Sequence, residues 1–302
     1  MSDDTRERVA KAIARAGVCS RREAEVRIAA GRVSVNGRRI DTPATLVGAD
    51  DVVAVDGRPL PEKSPPRLWR YHKPVGLVTT HKDPEGRPTV FERLPPDLPR
   101  VISVGRLDLN SEGLLLLTND GELARRLELP ANAWSRRYRV RVHGTPTEDH
   151  LARLAAGMTV EGVRYGSVKA TIERQQGANA WIEATLAEGK NREIRRLMEA
   201  LGFSVNRLIR VNYGPFALGA LPPGAVEEIP PKVLRQTLGP DIAAQLPSAA
   251  AEGRERRRRE QTGAAPAPKP KSEGDAHSAR RKPPKSHRFD ATKAGRLKAR
   301  KP

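Results

Sequence analysis

Residues 105–120 read G-R-L-D-L-N-S-E-G-L-L-L-L-T-N-D. Four consecutive leucines, at 114–117, follow a polar turn that carries Arg106, Asp108, Asn110, Ser111 and Glu112. An apolar run this short, closed by turn residues on both sides, predicts a buried strand. The turn sets a carboxylate, Asp108, beside a guanidinium, Arg106. Loops held by a rigid strand are where binding and catalytic groups are often placed. Read locally, Asp108 is first a turn cap, because Asp bonds its own backbone in turns. The remaining sequence has to decide between the two roles.

A chain of 302 residues holds about two domains and buries a real core. Lysine and arginine number 55 against 36 acidic residues, a net charge of +19. A field of that sign recruits polyanions, nucleic acid first and an anionic membrane surface second. No apolar stretch approaches the ~18 residues of a membrane span, and M-S-D-D-T-R-E-R is not a signal peptide. The expectation is a cytoplasmic monomer with no membrane partner. A single cysteine, Cys19, excludes an internal disulfide and a cysteine-based zinc site. With no P-loop and no paired histidines at ligand spacing, neither metal nor cofactor is expected. Residues 247–302 hold 17 Lys or Arg and 6 Asp or Glu, so +11 of the charge sits there. That segment has one aromatic, Phe289, and too little apolar surface to offset its chain entropy. A disordered polycationic tail is expected over 239–302, raising RNA affinity through counterion release.

At the other end, Asp4 and Glu7 flank a helix start, with Val9, Ala12, Ile13 and Ala16 at the spacing of a buried face and Gly17 placed to cap it. S-R-R-E at 20–23 is a capping box for a second helix reaching about Gly31, its apolar side made by Ala24, Ile28 and Val26. Arg21, Arg22 and Arg27 lie on this helix as candidate RNA contacts. Val33 and Val35 alternate toward Asn36-Gly37, a strong hairpin signal, and residues 52–55 close the unit. Helix, helix and hairpin, with R-R-E-A-E and V-N-G, resemble the S4 RNA-binding domain, expected here over residues 1–56. Such a surface suits structured RNA, read through phosphate and shape. The proline-rich stretch 57–67 reads as a linker to a second domain over 68–238.

The second domain opens with H-K-P-V-G-L-V-T-T, in which 75–79 is strand-like and Lys73 is a candidate RNA contact. Residues 81–88 read as a mobile loop whose Lys82 and Arg87 reach phosphate. Beyond the leucines a helix is expected over 122–127. S-R-R-Y-R-V-R-V at 135–142 alternates as a half-buried strand, with Tyr138, Val140 and Val142 on one face and arginines on the other. T-P-T-E at 145–148 predicts a helix over 149–156 with proline at its first position. Strands are expected at 166–173 and 180–187. E-G-K-N-R-E-I-R-R-L-M-E-A-L-G at 188–202 predicts a helix striped by Ile194, Leu197, Met198 and Leu201. Lys190, Arg192, Arg195 and Arg196 crowd its first turns, the end where the helix dipole repels cations. An anion or a carboxylate facing them would explain the placement; a solvated charged face is the alternative. A last strand is expected at 205–211. The fold class is α+β, a small helix-helix-hairpin domain followed by a mixed, mainly antiparallel sheet with flanking helices.

The stretch at 105–120, then R-R-Y-R-V, then E-G-K-N-R-E-I-R-R-L-M-E-A-L-G, resembles the RsuA/RluB group of ribosomal RNA pseudouridine synthases. The S4-like domain in front is the arrangement of that group, and the resemblance covers about residues 6–235. It implies isomerisation of uridine to pseudouridine in ribosomal RNA or a pre-ribosomal particle, with 23S RNA as the RluB-like target. It also implies that Asp108 is the catalytic nucleophile, Tyr138 the ring packed on the target base and Arg195 the basic partner of the aspartate. Arg192 and Arg196, a helical turn or less away, compete with Arg195 for that place. Arg106 and Leu107 are candidates to fill the space left by a flipped nucleotide. Lys190, Arg192 and Arg196 are further RNA contacts. The competing class is a non-catalytic S4-type RNA-binding or ribosome-assembly factor. An acidic residue inside a cationic groove favours the enzyme.

Overall fold

The computed structural model describes residues 6–62, 64–129, 134–244 and 246. The first domain packs α1 (Val9–Arg15) and α2 (Arg21–Ala29) on β1 (Val33–Val35), β2 (Arg38–Arg39), β3 (Val53–Val55) and β4 (Arg58–Pro59). The antiparallel order is β2-β1-β3-β4. Val9, Ile13, Ala24, Ile28, Val33 and Val53 form its core. The capping box is present: Ser20 N donates to the Glu23 carboxylate at 2.8 Å, and Glu23 N donates to the Ser20 hydroxyl at 3.2 Å. Asn36 and Gly37 take positive φ and reverse the chain between β1 and β2. Three expectations change. Glu7 pairs with Val47 in a short strand instead of capping α1, and Asp4 lies outside the described residues. Val26 is 69% exposed, because a helical position two residues from Ala24 and Ile28 points away from both. β4 also carries the sheet into the stretch read as linker.

The second domain is built on a nine-stranded sheet. Its strands are β5 (Leu68–Lys73), β6 (Ile102–Val104), β7 (Glu112–Thr118), β8 (Arg136–His143), β9 (Lys169–Gln176), β10 (Asn179–Leu186), β11 (Ser204–Tyr213), β12 (Phe216–Ala217) and β13 (Val226–Glu228). The order is β9-β10-β8-β11-β7-β5-β13, with β12 on β11 and β6 on β7. Only β11 and β7 run parallel; the other pairs are antiparallel. β7 is the strand the leucines predict, and Leu114 to Leu117 are all 0% exposed. Four apolar residues in a row are needed because both faces of this strand are covered. Leu114 and Leu116 meet α3 (Gly121–Glu128) and α6 (Pro231–Leu238). Leu115 and Leu117 meet Trp69, Tyr71 and Leu107. A third core joins β8 and β10 to α4 (Glu148–Ala156) and α5 (Glu193–Ala200).

The seam between β7 and β11 depends on one glycine. Gly113 has φ +104°, and a Cβ there would lie 2.3 Å from the Arg210 carbonyl oxygen and 2.8 Å from its nitrogen. Both atoms are backbone, so neither can swing aside. Gly113→Ala is expected to destabilise the protein by about 2–4 kcal/mol, combining overpacking with a disfavoured φ. Urea unfolding with an unchanged midpoint would refute this.

Four expectations are corrected in this domain. Residues 75–79 make no strand: Pro74 and Gly76 turn the chain, Val75 is 56% exposed, and one bridge joins Val78 to Thr89. Thr147, not Thr145, caps α4, so Pro146 precedes the cap. α5 begins at Glu193, because Arg192 is left-handed at φ +52° and cannot continue a helix backward. Lys190 and Arg192 therefore precede the helix. Order also continues past residue 238, with α7 (Pro240–Ala243) and Leu246 buried beside Leu234 and Leu238. Of the tail expected over 239–302, residues 245 and 247–302 lie outside the described residues.

Candidate active site

The turn at 105–111 leaves β6 at Gly105, whose nitrogen donates to the Glu128 carboxylate at 2.6 Å. Side chains from several elements then fix its backbone. The Lys73 ammonium, at the end of β5, donates to the carbonyls of Pro74 (3.0 Å), Asp108 (3.1 Å) and Ser111 (2.8 Å). The Thr79 hydroxyl donates to the Leu107 carbonyl at 2.9 Å. The Arg195 guanidinium, from α5, donates to the Asn110 carbonyl at 2.8 Å and the Val205 carbonyl at 3.1 Å. Asp108 itself is half-buried and lines a cavity of about 660 Å³. Its carboxylate makes no hydrogen bond or ion pair among the described residues. The turn is thus preorganised while its acid is left available.

Tyr138, half-buried on β8, lines the same cavity and touches the cores on both sides of it. Arg136, one end of that strand, is fully engaged. Its guanidinium donates to the carbonyls of Trp134, Ala187 and Glu188 at 2.7–3.1 Å and to the Tyr213 hydroxyl at 3.1 Å. Arg136 and Arg210 lie 4.8 and 5.2 Å from the Tyr213 ring centre on β11. Arg210 is 3% exposed and donates to the Leu114 carbonyl at 2.7 Å. Glu193 opens α5, 4% exposed, accepting from Lys190 N at 2.8 Å, and burial pushes its carboxyl pKa up. Burial, then neighbouring Arg192, pulls the Arg195 pKa down, while Asp108 opposes them. Arg195 therefore feels the aspartate without pairing with it, and Arg106 does not pair with it either.

Arg106, Asp108, Tyr138, Lys190 and Arg192 line one cavity, while Arg195 stands behind the turn at 7% exposure. One expectation is corrected. Lys73 is 0% exposed with its three N–H groups spent on carbonyls, so it holds the turn and offers nothing to RNA. Burial lowers its pKa to about 8, with Asp108 and Glu112 opposing. Leu107 is 6% exposed, packed among Tyr71, Leu77 and Leu115, and what remains of its surface lines the Asp108 cavity. Lys190 is occupied by the Arg164 carbonyl and the Glu188 carboxylate at 2.7 and 2.6 Å. Arg196 faces Glu161 at 3.9 Å, off the cavity. Arg21 and Arg22 are exposed on α2, and Arg27 lies 3.8 Å from Asp56. Arg136, Arg210 and Glu193 carry no mark in the sequence beyond lying at strand or helix positions facing the turn.

An S4 domain model matches residues 7–53, and an RNA pseudouridylate synthase model matches residues 67–200. An uncharacterized RNA pseudouridine synthase of Rickettsia prowazekii is 50% identical over 231 residues, 76% of this chain and 97% of the relative. The ribosomal large subunit pseudouridine synthase B of Pseudomonas aeruginosa is 42% identical over 263 residues, 83% of this chain and 67% of the relative. A crystal structure of a pseudouridylate synthase aligns over 77% of this chain and 99% of its own, with 25% identity and a TM-score of 0.55. With the acid-bearing turn, the tyrosine strand and the arginine-headed helix around one cavity, the chain belongs to the RNA pseudouridine synthase family, in its S4-domain-bearing form.

Proposed function

We propose that the protein isomerises uridine to pseudouridine in ribosomal RNA, with its target in the large-subunit RNA, and that Asp108 is the nucleophile. The carrying observation is a half-buried carboxylate, unpaired, on a rigid turn at the floor of a cationic cavity beside Tyr138. A relative named for the ribosomal large subunit supports the large-subunit assignment. Isomerisation breaks the N1–C1′ bond, turns the base and joins C5 to C1′; the proton lost from C5 is matched by one gained at N1. A covalent bond to Asp108 holds the sugar while the base turns, as a carboxylate holds the sugar in retaining glycosidases. No second carboxylate is required, because the base and not water displaces Asp108. Tyr138 packs on the flipped uracil and keeps water out. Arg195 acts through the turn, fixing Asn110 and lending positive field to the carboxylate.

The test is tritium release from ribosomal RNA labelled at uridine C5, followed by mapping of pseudouridine in both rRNAs. Release in step with pseudouridine formation at a large-subunit position is expected. Release from small-subunit RNA alone would move the target, and tight binding with no release from either would sink the enzymatic reading.

A further inference from the structure

We propose that a cleft between the S4 domain and the catalytic domain seats single-stranded nucleotides flanking the target uridine, an inference that rests on the isomerase reading. The cleft has a volume of about 680 Å³ and is separate from the Asp108 cavity. Arg21 and Arg22 of α2 line one side; Lys82 and Arg100 of the catalytic domain line the other. None of the four makes a side-chain hydrogen bond or ion pair among the described residues. The acid between them, Glu23, is committed to the backbone of Ser20. Four free cations around one committed acid suit a run of phosphates.

Single-strandedness is argued from an aromatic platform. His81 is exposed and lies flat on Phe91, ring centres 3.5 Å apart and 14° between planes. Both rings line the cleft. An exposed flat ring among cations offers a stacking face to an unpaired base, and paired bases of a helix cannot use it. The flanking position follows from adjacency along the chain. Val78 lines the Asp108 cavity and Thr79 the cleft; Gly105 lines the cavity and Ser103 the cleft. Segments 78–79 and 103–105 thus wall both spaces, which sets the cleft beside the Asp108 cavity. The Lys11–Glu122 pair, at 2.5 Å, ties α1 to α3 across the same interface.

Full-length protein is titrated by fluorescence anisotropy with an oligouridylate of about ten nucleotides and with an RNA duplex of the same length. His81→Ala is expected to bind the single strand about ten-fold more weakly and the duplex as before. Arg100→Ala is expected to flatten the salt dependence by about 0.7 in log K against log salt, and Arg100→Lys to restore it. Lys82→Ala, on an exposed loop, repeats the measurement should Arg100→Ala fail to fold. Unchanged salt slopes for the cation variants, or equal weakening of both RNAs by His81→Ala, would overturn the proposal. Tritium release by the wild type is read separately, so loss of the isomerase reading is distinguishable from loss of the cleft.

Discussion

Asp108→Asn is expected to lose pseudouridine formation by a factor on the order of 10⁶ in kcat, the scale of nucleophile removal in covalent enzymes. The replacement keeps size and polarity, and the turn does not depend on the acid. What holds the turn at this residue is its carbonyl, which accepts from Lys73 and from Ser111 N at 3.0 Å. RNA binding and unfolding midpoint are therefore expected to match the wild type, so the loss can be assigned to chemistry. Tritium release is the readout for turnover and anisotropy for binding. Residual activity within about a hundred-fold of wild type would be too high for loss of a nucleophile and would give Asp108 an electrostatic role instead.

The sequence made this residue visible for a reason that does not extend to its neighbours. Four leucines in a row are interpretable because a strand covered on both faces leaves no room for a polar alternate, and the turn before it follows. The strand of Tyr138 was legible through strict alternation, and α5 through Ile194, Leu197 and Met198; the roles of Asp108, Tyr138 and Arg195 were implied only by the resemblance to the RsuA/RluB group. What the sequence hid were contacts to backbone. Lys73, beside a proline in a loop-like stretch, looks like any surface lysine, yet its three acceptors come from residues up to 38 positions away. The family resemblance implies Arg195 as the carboxylate's partner, but its bonds go to carbonyls of Asn110 and Val205. Side-chain periodicity reports which face is buried and is silent on which main-chain groups need a donor. The start of α5 was missed for a related reason, since nothing in K-N-R marks Arg192 as the left-handed residue.

Lys73→Met tests the hidden half of the site. Methionine keeps most of the apolar stem and removes every donor, orphaning the carbonyls of Pro74 and Ser111 and leaving that of Asp108 with Ser111 N alone. Orphaned buried acceptors cost about 1–3 kcal/mol each, partly recovered because burying the ammonium is itself unfavourable. A net loss of about 3–5 kcal/mol is expected, with kcat down about a hundred-fold because the acid is displaced by a fraction of an ångström to an ångström. The pH dependence separates this from general damage. The folded pKa is about 8 against an ordinary 10.5. Between those values the unfolded chain holds a proton that the folded chain has shed, so wild-type stability rises with pH across that window. Below about pH 8 both states are protonated and the full penalty of burying the charge is present. The variant lacks this rise, so its deficit against wild type should widen between pH 8 and 10.5, read from urea midpoints. A deficit constant across that range would show that Lys73 does not titrate in the fold as its burial requires.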